Sequence, residues 1–109
     1  MTEPTEPTPD LRVANNPDAR RYEAWLGDQL AGFAEYEPAE GRVIFTHTEI
    51  DPGFSGRGGG TGLARAALDD VRARGLRVTP LCPFIAAWIK RHPIYADLVV
   101  GIQGRSARG

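Results

Sequence analysis

The sequence predicts a mixed α/β domain: an antiparallel three-stranded meander followed by a helix, a parallel strand and a second helix. Three observations carry this. Short turn signals, Gly27-Asp28 and Glu37-Pro38-Ala39-Glu40-Gly41, separate segments that alternate or are rich in β-branched and aromatic residues. The apolar period changes to that of a helix after a glycine cluster at residues 53–62. A strand pattern then resumes at Leu76, directly after that helix.

The elements follow in order. Arg20 to Leu26 places Tyr22, Ala24 and Leu26 on one face and Arg21, Glu23 and Trp25 on the other. Leu30 to Tyr36 continues the pattern, Arg42 to Ile50 forms the third strand, and Asp51-Pro52-Gly53 stops it. From Thr61 to Arg74, Leu63 or Ala64, Ala67 or Leu68, and Val71 make one apolar stripe, and Gly75 supplies the stop. Leu76 to Leu81 is the next strand, and because a helix intervenes it should run parallel to the third. Pro83 opens a second helix with Phe84, Ile85, Trp88 and Ile89 on its apolar side, and His92-Pro93 ends it, with His92 capping its C-terminus. Tyr95 to Ile102 is expected to pair as a last short strand.

The 109 residues suffice for one core and not for two. Residues 19–102 are assigned to the domain, 1–18 to a largely disordered N-terminal tail, its first ten residues above all, and 103–109 to a flexible C-terminal tail. Thirteen basic against fourteen acidic residues give a formal charge of −1 and no global attraction to nucleic acid or to an anionic membrane. No run approaches the ~18 apolar residues of a membrane span, and no secretory leader is visible, so a cytoplasmic location is expected. A lone cysteine, Cys82, and two distant histidines offer neither an internal disulfide nor a metal site.

The stretch from Gly53 to Gly62 holds six glycines in ten positions between a strand and a helix. Such a turn lets a ligand approach the backbone without meeting Cβ, and the following helix offers unpaired N–H groups at the positive end of its dipole, a fit for phosphate. Arg57 adds a charge-assisted donor, and Thr61 can cap the helix or donate its hydroxyl. The alternative is a loop that needs glycine only for its turn. No Lys-Ser or Lys-Thr follows the last glycine, so this is not a P-loop.

With His47-Thr48-Glu49-Ile50 before this loop and Pro80-Leu81-Cys82-Pro83-Phe84, Arg91-His92-Pro93 and Tyr95 after it, the chain from Arg20 to Val100 resembles the GCN5-related N-acetyltransferases, and more narrowly a small, truncated subfamily of them. Ser55, where Gln or Arg is common, and Gly59, where an apolar residue is usual, depart from the pattern. The resemblance implies a minimal fold of that family binding acetyl-CoA or CoA. Its pyrophosphate would lie on the loop Ser55, Gly56, Arg57, Gly58, Gly59, Gly60 and Thr61, and its pantetheine arm in a wedge between Arg42–Ile50 and Leu76–Leu81. Backbone groups near Thr48 and Ile50 would hold the arm and polarise the thioester carbonyl. The helices that usually wall the acceptor site between the first two strands are missing, so that site is open or completed by another molecule.

The expected activity is transfer of an acetyl group to an amine, small molecule or protein, by a monomer or weak dimer. The alternative is a catalytically weak CoA-binding or protein-interaction module. Cys82, before Pro83 at a helix start, is either a buried structural thiol or a nucleophile that carries the acyl group. His47 and Glu49 share one strand face and are able to share removal of the amine proton, or His47 is a satisfied strand histidine. Tyr95, by the resemblance, would protonate the departing thiolate, or it is a packed aromatic.

Overall fold

The computed structural model describes residues 11–55 and 59–100, without the side chain of Ser55. Five strands, β1 (Leu11–Asn16), β2 (Arg21–Leu26), β3 (Gln29–Ala39), β4 (Arg42–Ile50) and β5 (Arg77–Pro80), form one sheet in sequence order. The first four are antiparallel, and β5 runs parallel to β4 across a crossover of a short helix α1 (Pro52–Ser55) and a long one, α2 (Gly59–Ala73). Helix α3 (Pro83–Arg91) and a 3-10 helix (Pro93–Leu98) complete the order.

Three expectations change. The meander has four strands, because Leu11–Asn16, assigned to the disordered tail, pairs along its full length with β2. The partly buried Leu11 and Val13 of β1 pack against the core, which two apolar residues in an otherwise polar segment did not announce. Residues 1–10 and 101–109, where the remaining tail assignments fall, lie outside the described residues. The turn expected at Glu37–Gly41 shrinks to its end: β3 continues through Pro38 to Ala39, and Gly41 takes φ +75, a conformation that favours glycine. The last segment is a 3-10 helix instead of a strand. Tyr95 and Leu98 turn into the core, leaving one parallel bridge, Val78 to Val99, beside β5.

The core lies on one face of the sheet. Tyr22, Ala24, Ala34, Tyr36, Val43, Phe45 and Val78 pack against Leu63, Leu68 and Val71 of α2 and Ile85 and Trp88 of α3. At ~25 cal/mol per Å² this apolar burial is the main favourable contribution to folding. Polar ties lock the layers. Tyr22 donates to Asp70 of α2 at 2.6 Å and Tyr36 to Asn15 of β1 at 2.6 Å. The Trp88 and His92 rings stack at 3.8 Å, while His92 Nδ1 donates to the Trp88 carbonyl at 2.8 Å, as a helix C-cap should. No described helix covers the opposite face, which carries Arg21, Glu23, Trp25, Phe33, Glu35, His47 and Glu49.

Candidate acyl-transfer site

The seam between β4 and β5 positions the site. It is paired only from Arg42/Arg77 to Phe45/Pro80. There Leu81 and Cys82 both donate their N–H to the Phe45 carbonyl, at 3.0 and 2.9 Å, and the chain turns away into α3. From Thr46 onward β4 has β3 on one side and, among the described residues, no strand on the other. Opposite the shift in register between Glu35 and Tyr36, Thr46 is the extra, bulged residue. Beyond it the alternation of an antiparallel ladder decides where each backbone group points. Asp51 donates to Ala31, so Asp51, Glu49 and His47 face β3, and Thr48 and Ile50 turn their N–H and C=O toward the open side.

The same bulge sorts the side chains. Thr48 and Ile50 fall on the helix-covered face, where Thr48 Oγ1 lies 3.0 Å from the Cys82 sulfur. Cys82 is 2% exposed and is the N-cap residue of α3, making no side-chain cap bond. His47 and Glu49 fall on the bare face, with side chains 52% and 63% exposed. His47 Nε2 and Glu49 Oε2 are 3.0 Å apart, and the Phe33 ring lies 6.3 Å from the imidazole. The expected pair therefore exists, on the opposite side of β4 from the thiol.

At the glycine loop, Ser55 ends α1, and Gly59 and Gly60 open α2, both buried. Gly56, Arg57 and Gly58 lie outside the described residues. A Cβ on Gly60 would stand 2.9 Å from Phe84 Cζ, so glycine here lets α2 and α3 approach. Thr61 is not the cap. It is the third residue of α2, and its hydroxyl accepts a long bond, 3.5 Å, from the Trp88 indole N–H.

Tyr95 is not joined to the thiol or to the His47–Glu49 pair. It is buried, packs tilted against Trp88 with ring centroids 5.4 Å apart, and donates its hydroxyl to Asp69 of α2 at 2.7 Å. Burial first, and then the Asp69 carboxylate, push its pKa up, opposing the release of its proton. On the bare face Glu23 is 7% exposed and accepts from Arg21, Asn16 and Trp25. Burial works to raise its pKa, and these three donors together hold it below the usual carboxylate range. Neither the Thr48 hydroxyl against Cys82, nor Phe84 against Gly60, nor Asp69 behind Tyr95 was singled out from sequence. Phe84 alone had a signal, its place in the motif after Cys82-Pro83.

A one-face-covered mixed sheet, split after a bulge beside a glycine-rich helix start, defines a class of acyltransferase-like folds. Residues 21–98 match the model of the family described as GCN5-related N-acetyl-transferase, and the chain belongs to that family. It is 29% identical over 92 residues to Protein NATD1 of Xenopus tropicalis, covering 82% of this chain and 84% of that one. An NMR solution structure of a GCN5-like protein from Staphylococcus aureus shares the fold with a TM-score of 0.65 at 16% identity, covering 87% of this chain and 93% of that one.

Proposed function

We propose that the chain transfers an acetyl group from acetyl-CoA to an amine by direct attack, with the split between β4 and β5 as the site. The observation that carries this is the β4 edge beyond Phe45, where the backbone of Thr48 and Ile50 meets no strand among the described residues on the side away from β3. Polar groups left open beside a core suit an extended, amide-bearing ligand. Thr48 and Ile50 would hold such an arm, and the loop from Ser55 to Thr61, Arg57 with it, would hold the phosphates. Acetyl-CoA supplies the acetyl group as an activated thioester.

In this reading the His47–Glu49 pair takes the proton from the amine on the bare side of β4, and the exposed carboxylate stabilises the imidazolium that forms. The Thr48 and Ile50 N–H groups, fixed by the β3 ladder, oppose the charge that develops on the carbonyl oxygen. The thioester C–S bond breaks as the new C–N bond forms, and CoA leaves as its thiolate and is protonated by solvent. Tyr95, whose hydroxyl donates a hydrogen bond to Asp69 and keeps its proton, has a structural role in this reading.

A second reading has one observation in its favour, the position of Cys82 at the start of α3 and 3.0 Å from Thr48 where the strands part. Here the Cys82 thiolate attacks the thioester carbon and becomes an acetyl thioester. CoA leaves as its thiol with the Cys82 proton, and the amine then takes the acetyl group from Cys82. A thiol 2% exposed must first become accessible, which weighs against this route.

Thermal unfolding with CoA tests the binding step. Ligand at ~100 times its Kd adds ~2.7 kcal/mol, and Arg57→Ala should remove much of the gain. The absence of any shift at millimolar CoA would defeat both readings. Binding with no acetyl transfer to a mixed panel of amines and peptides would leave a CoA-binding module. An acetyl group on Cys82 after acetyl-CoA alone, together with loss of turnover in Cys82→Ala, would select the covalent route; a fully active Cys82→Ala selects direct transfer.

A further inference from the structure

The side chains on the bare face of the sheet stand in level rows. Asn16, Arg21, Glu35 and His47 form one row from β1 to β4. Arg12, Trp25 and Leu30 form another, toward the turn that joins β2 to β3. Between the two rows Ala14 of β1 is level with Glu49 of β4. The large apolar side chains of this face, Trp25, Leu30 and Phe33, are only half-buried. A shallow trough of about 490 Å³ lies beside Trp25, over Arg12 and Ala14, and another of about 290 Å³ lies beside Phe33, over Glu49 and Asp51.

Charge in these rows is sorted by strand. On β1 and β2, Arg12 is exposed and forms no ion pair among the described residues, and Arg21 pairs with the buried Glu23 beside it. Asp28, which borders the same trough, lies in the turn beyond the last row. On the β3–β4 side no Lys or Arg is ion-paired with Glu35, Glu49 or Asp51 among the described residues. A half-turn about an axis parallel to the strands, midway between β2 and β3, lays each half of the face over the other and keeps every row at its own level. Sheets packed face to face lie about 10 Å apart with strands within about 30° of alignment, so side chains that face each other are in reach.

We infer that a second copy of this chain covers the face about that axis. Arg21 then meets the partner's Glu35, Arg12 reaches the partner's Asp51, Trp25 packs on the partner's Leu30, and Asn16 meets the partner's His47. Each contact occurs twice, as an isologous interface requires. Rows that turn into their own charge complement are needed for pairing with a like face and for no other partner, which favours a second copy over an unrelated protein. Burial of Trp25, Leu30 and Phe33 from both copies supplies the affinity, and the charged pairs fix the register. The consequence for the site rests on the acetyltransferase reading. The two troughs come to lie over one another, with the His47–Glu49 pair on one wall and β1 and β2 of the other copy on the opposite wall. Each copy thereby closes the amine side of its partner's site, which no described helix covers.

The test is sedimentation velocity of the full chain from about 1 μM to about 1 mM, with Arg12→Glu, Asp51→Arg and an equal mixture of the two. The expected result is a concentration-dependent dimer, about tenfold weaker in either variant and restored in the mixture, where each chain carries the charge its partner lacks. Isotope-filtered NOEs between labelled and unlabelled chains of the parent protein should join Trp25 to the partner's Leu30. A chain still monomeric at about 1 mM leaves the face to some other occupant and overturns the proposal. So does a dimer untouched by both variants, a mixture as weak as the variants alone, or intermolecular NOEs that arise elsewhere. For the site, acetyl transfer per chain should rise with the dimer fraction and fall about tenfold in monomeric Arg12→Glu, with the CoA thermal shift kept. An equal rate in the monomer overturns the closing of the site by the partner and spares the acetyltransferase reading. A dimer that transfers acetyl to no amine keeps the interface and overturns that reading instead.

Discussion

The two faces of one sheet differ more than any two elements of this protein. Toward the helices, Tyr22, Ala24, Phe45 and Val78 are between 0% and 2% exposed. On the other face of β4, beyond the bulge, the His47 and Glu49 side chains are more than half exposed. The covered face concentrates the apolar burial that holds the fold, and the bare face is free to carry polar groups whose loss the fold tolerates.

The largest break in that comparison is expected from Trp88→Ala, which empties the largest of the fully buried side chains and ends the stack on His92. Denaturant unfolding should show a loss of ~3–5 kcal/mol. Glu23→Gln tests the one buried charge among the described residues of the bare face. Its three donors lose a carboxylate, and a loss of ~1–3 kcal/mol is expected. Because the folded pKa of Glu23 is lowered, its contribution is present above the unfolded value of about 4.5 and disappears as pH falls through the folded one. The variant should therefore show a flatter acid limb in stability against pH.

Tyr95→Phe removes a bond to Asp69, which is exposed and can return to water, so ~0.5–1.5 kcal/mol is expected, with kcat retained. A large fall in kcat at neutral pH would restore Tyr95 as the acid. Tyr22 sharpens the alkaline side. Burial and then Asp70 raise its pKa, so its contribution is complete below pH 10, the ordinary tyrosine value, and is lost above it. Tyr22→Phe should lessen the fall in stability above pH 10. The smallest change in stability belongs to His47→Ala, within ~0.5 kcal/mol as for exposed positions in general, while acetyl transfer falls by ~10²-fold or more. A large destabilisation there would erase the contrast between the faces.

Much of this was legible along the chain. Strand β4 has the expected bounds because a β-branched and aromatic run lies between Gly41 and Pro52, and α3 is bracketed by Pro83 and His92-Pro93. His47 and Glu49 share a face by a spacing of two, which is local geometry. The contact of Thr48 with Cys82, 34 residues apart, is not local, and neither is that of Tyr95 with Asp69. Strand β1 escaped notice because its identity rests on pairing with β2 and on Leu11 and Val13 reaching the core, and its own composition resembles a tail.

By itself the sequence determined the α/β class, the crossover, the glycine-rich helix start and the pairing of His47 with Glu49, since each depends on neighbours within a few residues. Only the tertiary structure decided which face each residue serves. One bulged residue, Thr46, shifts the alternation of β4, turning Thr48 toward Cys82 and the core and His47 and Glu49 away from it. Side chains in a strand alternate with period two, so a single inserted residue reverses every assignment beyond it, and the bulge is defined by the partner strand rather than by the residue that forms it.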